Sequence, residues 1–214
     1  RYRERLRGYY SQIENLDHNI GRICTVLEED GLLDDTILFY FSDHGDMLGS
    51  HGRLHKEVPE QESSNIPLIV RYPAAVPAGT VCDGLISCVD IMPSLLGLLG
   101  IPIPDSVEGE DLSRTIRGEG HDGAESVLFQ FDRPFFSWEK HHELHVRGIR
   151  HDDWKYIVHY FPERSRLYNL AEDPYEMHNR WHDPACEAVK AQLHAMLVAK
   201  LDALGDGLPG SEPP

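Results

Sequence analysis

Apolar and polar positions alternate along the start of the chain with the period of an α-helix. Between positions 9 and 27, apolar side chains recur at spacings of three and four residues: Tyr9, Ile13, Leu16, Ile20, Ile23 and Leu27. This spacing predicts an amphipathic helix whose apolar stripe packs on a core. Gly31 follows at a position where a glycine commonly ends a helix.

Two continuous apolar runs come next, ILFYF at 37–41 and IPLIVRY at 66–72. Neither run alternates with polar residues in the way that a half-exposed strand does. Since a strand that is covered on both faces is apolar at nearly every position, the two runs predict strands of a parallel α/β sheet.

A third strand is predicted at 85–91, with the sequence LISCVDI, and it leads into a short helix at 92–100. Asp90 and Pro93 suit the start of that helix, and Gly100 suits its end. Strands and helices that alternate along the chain in this way are typical of an α/β fold.

The remainder of the chain has the rhythm of an antiparallel sheet. Strands are predicted at 126–131, in a hairpin formed by 143–150 and 154–160, and within 166–176, where an Asp-Pro turn follows. Alternation in the hairpin predicts one solvent-exposed face. The basic residues of the hairpin are expected to be solvated, with contact to a substrate as the alternative: Arg147, Arg150, Lys155 and His159.

A closing amphipathic helix is predicted from about residue 185 to residue 204. One stripe of this helix is apolar and consists of Val189, Leu193, Leu197 and Leu201. We therefore expect an α/β domain at 1–125, a small antiparallel sheet with the closing helix at 126–205, and a disordered tail at 206–214.

Charge and composition narrow the function. The formal charge of the 214-residue chain is −16, from 20 basic and 36 acidic residues, which argues against binding to nucleic acids or anionic membranes. No apolar stretch reaches the ~20 residues of a membrane-spanning helix, and the cell compartment stays open. The four cysteines form no CxxC pair, so buried free thiols are expected. No Gly-x-Ser-x-Gly elbow, P-loop or GxGxxG motif occurs, which disfavours esterases, NTPases and dinucleotide-binding proteins.

The connection between the first two apolar runs carries the candidate chemistry. It has 24 residues, from Ser42 to Asn65, and a connection of this length is usually functional or disordered. Asp43 and His44 directly follow ILFYF, at the kind of strand end where ligands bind in open α/β sheets. They offer a hard oxygen and an imidazole to a divalent cation. The alternative is that Asp43 only caps a turn and that His44 packs.

Other residues of the same connection could complete a site. Lys56 could return to the strand end as a point charge for an anionic group, although most lysines are simply solvated. His51 is a candidate for lining the site rather than for holding a metal. His51 and His55 are four residues apart, as are His141 and His145, and each pair could chelate a metal if its segment were helical.

Four segments, taken in their order along the chain, resemble the sulfatase family of the alkaline-phosphatase superfamily. SDHGDMLGSHGRLHKEVPEQESSNIPLIVRYP matches the family pattern of an Asp followed by Asn or His and Gly, a lysine about a dozen residues later, and a V/I-P-L-I strand. YYSQIENLDHNIGRICTVLEEDGLLDDT resembles the preceding helix, and VDIMPSLLGLLGIPIPDSVEGEDLS the D-I-x-P-T-L-L stretch. WKYIVHY and LYNLAEDPYEMHN resemble the K-Y-I and L-Y-D-L-x-x-D-P-x-E segments.

The resemblance implies a fold and a set of roles. The fold would be part of an alkaline-phosphatase-like α/β sandwich with a small C-terminal antiparallel sheet plus helix. Asp43 and His44 would be two ligands of a divalent cation, usually calcium, with manganese, magnesium or zinc as alternatives. Lys56 would contact the sulfate of a small-molecule or saccharide sulfate ester.

The departures from the family pattern are equally informative. The Cys/Ser-x-Pro/Ala-x-Arg motif, whose first residue becomes the formylglycine nucleophile, is absent, as are the paired N-terminal aspartates and the middle Lys-x-His segment. The chain therefore resembles the C-terminal portion of a sulfatase. We expect formylglycine only in the missing N-terminal region, the isolated chain to be inactive, and an exposed apolar sheet edge to favour self-association. A phosphoester or phosphonate monoester hydrolase of the same superfamily, or a non-catalytic sulfatase-like module, remains an alternative.

Overall fold

The computed structural model describes residues 2–120, 123–134 and 143–208. The helices are α1 (Tyr2–Glu29), α2 (Gln61–Ser64), α3 (Ile91–Leu99), α4 (Ser113–Ile116) and α5 (Glu187–Leu204). The strands are β1 (Leu38–Phe41), β2 (Leu68–Arg71), β3 (Ser126–Pro134), β4 (Glu143–His151), β5 (Trp154–His159) and β6 (Arg166–Asn169). Short 3-10 turns lie at Ser50–Gly52, Cys88–Asp90, Pro162–Arg164 and Pro184–Cys186.

Helix α1 has the predicted period but not the predicted packing. None of its residues is buried, and Ile23 on the apolar stripe is 56% exposed. In the described chain, the expectation that the stripe lies on a core is therefore wrong. The chain turns at Gly31, whose φ of 70° lies in the left-handed region that favours glycine.

Strands β1 and β2 pair with each other in a two-stranded antiparallel sheet, with Leu38 opposite Arg71 and Phe41 opposite Leu68. The predicted parallel arrangement is wrong for this pair, because continuous apolarity indicates cover on both faces and not the direction of a neighbour. The guanidinium of Arg71 binds the segment between α1 and β1, since it donates to Leu33 O at 2.6 Å and to Asp34 Oδ1 at 2.5 Å.

The predicted third strand at 85–91 is not a strand. Leu85 makes only isolated bridges, and Cys88–Asp90 forms a 3-10 turn that runs into α3. The reason lies in Asp90, whose buried carboxylate accepts from Ser87 N at 2.7 Å in a capping box. The predicted start and end of the helix are confirmed, with Gly100 in the left-handed region at its C-cap.

The C-terminal unit, which we define as residues 126–208, has the predicted antiparallel sheet and closing helix. The strand order β3-β4-β5-β6 follows the sequence, and every neighbouring pair is antiparallel. Helix α5 lays its predicted stripe on this sheet and forms a buried apolar cluster with it. The cluster consists of Ile149, Tyr156, Leu167, Cys186, Leu193, Leu197 and Leu201.

The second face of the hairpin is buried, which corrects the expectation of one solvent-exposed face. Lys155 and His159 on this face are buried, and Arg147, which lies opposite Val158 on the face towards α5, is buried as well. Arg147 is held by an ion pair, with its Nε 2.6 Å from Asp206 Oδ2. Asp206 is the first residue of the predicted tail, and 209–214 lie outside the described residues. The charges of Lys155 and Arg147 can be buried because carboxylates from distant segments, Glu176 and Asp206, neutralise them.

Of the four free cysteines, Cys186 alone is buried, whereas Cys82 and Cys88 are exposed and Cys24 is half-buried. The expectation of buried thiols therefore holds for one of the four. Among the described residues, no helix is long and apolar enough to cross a membrane.

Candidate metal and anion half-site

The candidate chemistry lies on residues 42–65, which connect β1 to β2 and are called the site loop here. The loop folds back on itself, since Met47 N donates to His55 O at 2.7 Å and Gly49 N donates to Arg53 O at 2.8 Å. The side chain of Met47 is buried beneath this excursion. The predicted long connection is thus ordered by its own backbone hydrogen bonds.

Asp43 and His44, called the half-site here, leave the end of β1 side by side. Asp43 is exposed, and its Oδ1 accepts from His44 N at 2.9 Å. His44 Nδ1 lies 2.7 Å from Gly45 O. Because a carbonyl oxygen only accepts, Nδ1 carries a proton in this contact, and Nε2 of the neutral ring is a lone pair. That atom lies 3.3 Å from Asp43 Oδ2, so a neutral ring places two acceptors face to face there, whereas a protonated ring forms an ion pair.

A proton or a cation between these two acceptors would remove their repulsion. A carboxylate oxygen and an imidazole nitrogen are both ligands of divalent cations, and the Nδ1 contact fixes the ring as an outer-shell hydrogen bond does in metal sites. In the described parts of the chain, no group of three or more His, Cys, Asp or Glu side chains could hold a metal ion. The donors present thus fit two positions of a coordination shell.

Gly45 allows helix α2 to approach the half-site. Gly45 N donates to Ser63 O at 2.8 Å, and a Cβ added at Gly45 would lie 2.0 Å from the carbonyl oxygen of Glu62. Any side chain at Gly45 would therefore displace α2.

Lys56 is exposed, and among the described residues its ammonium makes no hydrogen bond or ion pair. His51 lies on the same loop, with its Nε2 3.9 Å from Glu62 Oε2. The φ values of His51 and His55 are 53° and 70°, so this pair lies on no helix and the chelating arrangement is wrong. The other pair, His141 and His145, has side chains outside the described residues.

Cys88 is a neighbour of the half-site that the sequence did not indicate. Partial burial raises the pKa of its thiol, and the carboxylates of Asp43 and Asp90 raise it further. The 3-10 turn before α3 therefore lies within electrostatic reach of Asp43. A lone cysteine in a loop carries no sequence signal for such a position.

The C-terminal unit contributes buried charges beneath the site loop, and these too were missed. Lys155 Nζ lies 2.8 Å from Glu176 Oε1, and both side chains are buried. Burial lowers the pKa of Lys155, whereas the charge of Glu176 opposes this change. Glu60 Oε1 pairs with Arg166 at 2.7 Å and with Arg53 at 3.2 Å. The signal that could have found the first pair is a lysine between the apolar residues Trp154 and Tyr156 at the start of the hairpin strand.

Comparison with known proteins gives the family. Residues 49–203 match the model of the N-sulphoglucosamine sulphohydrolase C-terminal domain. An ulvan-active sulfatase from Formosa agariphila is 34% identical over 209 residues, which are 96% of this chain and 40% of that protein. A structure solved with its substrate D-glucosamine-2-N,6-O-disulfate superposes with a TM-score of 0.82 and 29% identity, over 94% of this chain and 41% of that one. The phosphonate monoester hydrolase of Agrobacterium radiobacter superposes with a TM-score of 0.76 and 30% identity, over 92% of this chain and 40% of that one.

The fold is thus that of the C-terminal part of proteins of the alkaline-phosphatase superfamily. The chain belongs to the sulfatase family. Both the resemblance and the fold class that the sequence predicted are confirmed. The chain spans between 31% and 40% of the length of the curated relatives compared with it.

Proposed function

We propose that this chain is the C-terminal part of a sulfuric ester hydrolase, in which Asp43 and His44 supply two ligands of a divalent cation. The single observation that carries the proposal is the 3.3 Å approach of His44 Nε2 to Asp43 Oδ2, two acceptors that a cation would join. Calcium is the expected ion, with manganese, magnesium or zinc as alternatives, and the remaining ligands would come from the part of the relatives' length that this chain does not span.

When bound, the cation would supply Lewis-acid stabilisation and a template for the nucleophile. The residues of this chain would bind and orient the ester. The exposed ammonium of Lys56 would attract the negative oxygens of the sulfate as a point charge. His51, beside Glu62, would line the same loop. We place the formylglycine nucleophile outside this chain, because none of its four cysteines lies in a Cys-x-Pro/Ala-x-Arg context.

For the substrate we propose a saccharide sulfate ester. The support is the structural neighbour solved with D-glucosamine-2-N,6-O-disulfate, since its likeness extends over 94% of this chain. A phosphonate monoester is the second candidate, favoured by the likeness to the Agrobacterium hydrolase. We propose no contact with nucleic acid or membrane, and we expect the isolated chain to self-associate through exposed apolar residues of β1 and β2.

The full-length gene product tests the enzymatic proposal. It should hydrolyse an aryl sulfate or a 6-sulfated glucosamine faster than an aryl phosphonate, and a chelator should abolish this turnover. Asp43→Asn and Lys56→Ala should each lower kcat/KM at least about 100-fold, which is the scale for removing one electrostatic contact in a closed active site. Asp83→Asn, at an exposed position, is the control. Faster phosphonate turnover would select the second candidate.

The half-site can be tested in the isolated chain as well. Titrated Mn²⁺ should broaden the NMR signals of the His44 ring, and Asp43→Asn should weaken this effect. Equal broadening of the exposed His178 ring would show that the ion binds without preference. The isolated chain itself should not turn over an aryl sulfate.

A further inference from the structure

A buried ion pair of the C-terminal unit holds both ends of helix α2 in the site loop. Lys155 on β5 is completely buried, and its Nζ lies 2.8 Å from Glu176 Oε1 and 3.4 Å from Ser64 Oγ. The second oxygen of Glu176 accepts from the backbone N–H of Gln61 at 2.6 Å. Gln61 and Ser64 are the first and last residues of α2. The pair therefore fixes α2 from residues that are 91 and 115 positions away.

Backbone carbonyl groups of α2 contact the half-site segment. Ser63 O accepts from Gly45 N at 2.8 Å, and Gly45 O accepts from His44 Nδ1 at 2.7 Å. Glu176 is thus connected to the His44 ring through a hydrogen bond to α2, the α2 backbone, and two further hydrogen bonds. Because Gly45 packs closely on Glu62 O, a shift of α2 would also shift the backbone of Gly45.

A second buried carboxylate attaches the stretch that carries Lys56. Glu60 Oε1 lies 2.7 Å from Arg166 Nη1 on β6 and 3.2 Å from Arg53 Nη1 in the site loop. Arg53 and Glu60 stand on either side of Lys56 in the sequence, so their ion pair closes the excursion on which Lys56 lies. Both chemical elements of the proposed site are therefore tied to β5 and β6.

Stability alone gives little reason for this arrangement. A buried ion pair is commonly replaced by apolar residues without loss of stability, because the desolvation of two charges offsets their attraction. What an apolar pair could not supply is the acceptor for Gln61 N–H, which orients α2. We propose that Glu176 is a positioning residue for Asp43 and His44, that it acts through the N–H of Gln61 in α2, and that Lys155 neutralises its buried charge. This inference rests on the function proposed above.

The test compares two double variants that differ only in the acceptor. K155M/E176L removes both charges and the acceptor for Gln61 N–H, whereas K155M/E176Q removes both charges and keeps an amide oxygen there. Neither variant leaves a buried unpaired charge, so both are expected to fold. E172Q is the matched control, because Glu172 makes an exposed ion pair with Arg180 four residues from Glu176.

The first measurement is amide hydrogen exchange in the 214-residue chain. In K155M/E176L, the amides of Gly45, Gln61 and Ser64 should exchange at least about tenfold faster, while those of the β4–β5 ladder stay within about twofold of the wild type. K155M/E176Q and E172Q should stay within about threefold at Gly45 and Gln61. Both double variants lose the Lys155 contact to Ser64 Oγ, so Ser64 does not discriminate between them. Equal exchange in the two double variants would overturn the proposal.

The second measurement is turnover by the full-length gene product. K155M/E176L should lower kcat about 10- to 100-fold with KM within about threefold, because a misplacement near 1 Å is enough for such a loss. K155M/E176Q should restore most of kcat. If exchange accelerates but kcat is unchanged, the pair only stabilises the loop and the proposal is wrong. If the wild type turns over no sulfate ester, the proposed function fails, and exchange alone decides whether the pair holds α2.

Discussion

Helices α1 and α5 have opposite relations to the rest of the molecule. Helix α5 has 18 residues and buries Leu193, Leu197 and Leu201 on the C-terminal sheet. Helix α1 has 28 residues and buries none. Both helices carry an apolar stripe at helical spacing, so the pattern of a sequence indicates which face a helix would bury, and not whether its partner lies in the same chain. Within the described chain, the C-terminal unit supplies the partner and the N-terminal part does not.

Shortening one apolar side chain on each of the two stripes should give the largest difference in the free energy of unfolding. Leu197→Ala should reduce the free energy of unfolding by about 2–5 kcal/mol, because it opens a cavity in a fully buried cluster. Ile23→Ala on α1 should change it by less than about 0.5 kcal/mol, since that side chain is exposed. Urea denaturation of the chain, followed by circular dichroism, measures both. Equal losses would contradict the comparison.

Because His159 is buried in the C-terminal unit, its protonation should lower the free energy of unfolding at mildly acidic pH. Burial, together with the charges of Arg164 and Arg166, lowers the pKa of His159 to about 4. Since the unfolded chain takes up this proton near pH 6.5, the contribution to stability is complete above that pH and is lost as the pH falls towards 4. We expect a loss of about 2 kcal/mol, allowing for partial solvation.

The prediction for His159 is tested by measuring how the free energy of unfolding depends on pH in the wild type and in one variant. His159→Asn lacks the titrating ring but keeps an acceptor for Phe161 N, which donates to His159 Nδ1 at 2.9 Å. The wild type should lose more stability than this variant between pH 6.5 and pH 4. Parallel profiles would show that His159 is protonated in the folded chain.

The ion pair of Arg147 and Asp206 should have a smaller effect. The hydrogen bond that Arg147 donates holds the pKa of Asp206 below its usual range. The pair therefore stabilises the folded chain above the unfolded pKa of about 4, and this stabilisation is lost as the pH falls through the folded pKa. Asp206→Asn should cost about 1.5 kcal/mol at pH 7, the scale of a charged hydrogen bond, and less at pH 3. Thermal unfolding at both pH values measures this, and an equal cost at both would contradict it.

The smallest effect is expected in the N-terminal part. Arg71 and Asp34 form an ion pair at 2.5 Å, but the Asp34 side chain is largely exposed. Asp34→Ala should therefore change the free energy of unfolding by less than about 0.5 kcal/mol. A loss comparable to that of Asp206→Asn in the same urea experiment would show that the β1–β2 region is held as firmly as the C-terminal unit.

The sequence predicted what depends on local pattern. The two long helices, the hairpin and the stripe of α5 follow from periodicity, and the adjacency of Asp43 and His44 after β1 follows from the end of an apolar run. The segment 85–91 was misread as a strand because Asp90 competes for backbone donors, which an apolar pattern does not record.

The remaining errors concern contacts between distant positions. Lys155 was expected to be solvated because alternation on β5 gives no information about Glu176, which neutralises it from beyond β6. The direction of β2 relative to β1 and the lack of cover over α1 depend on neighbours in the same way. For the half-site, the sequence identified the donor residues, and the structure supplied the tautomer of His44 and the close packing of Gly45.

The order of the strands in the C-terminal sheet also determines when the site loop can reach its folded conformation. Strands β3 to β6 each pair with the next strand along the chain, so this sheet forms through local contacts, which favour rapid folding. The loop has no such advantage, because its attachments to Arg166 and Glu176 span 106 and 115 residues. Because the chain is synthesised from its N-terminus, the metal and anion half-site can reach its final structure only after β6 and the turn beyond it have left the ribosome.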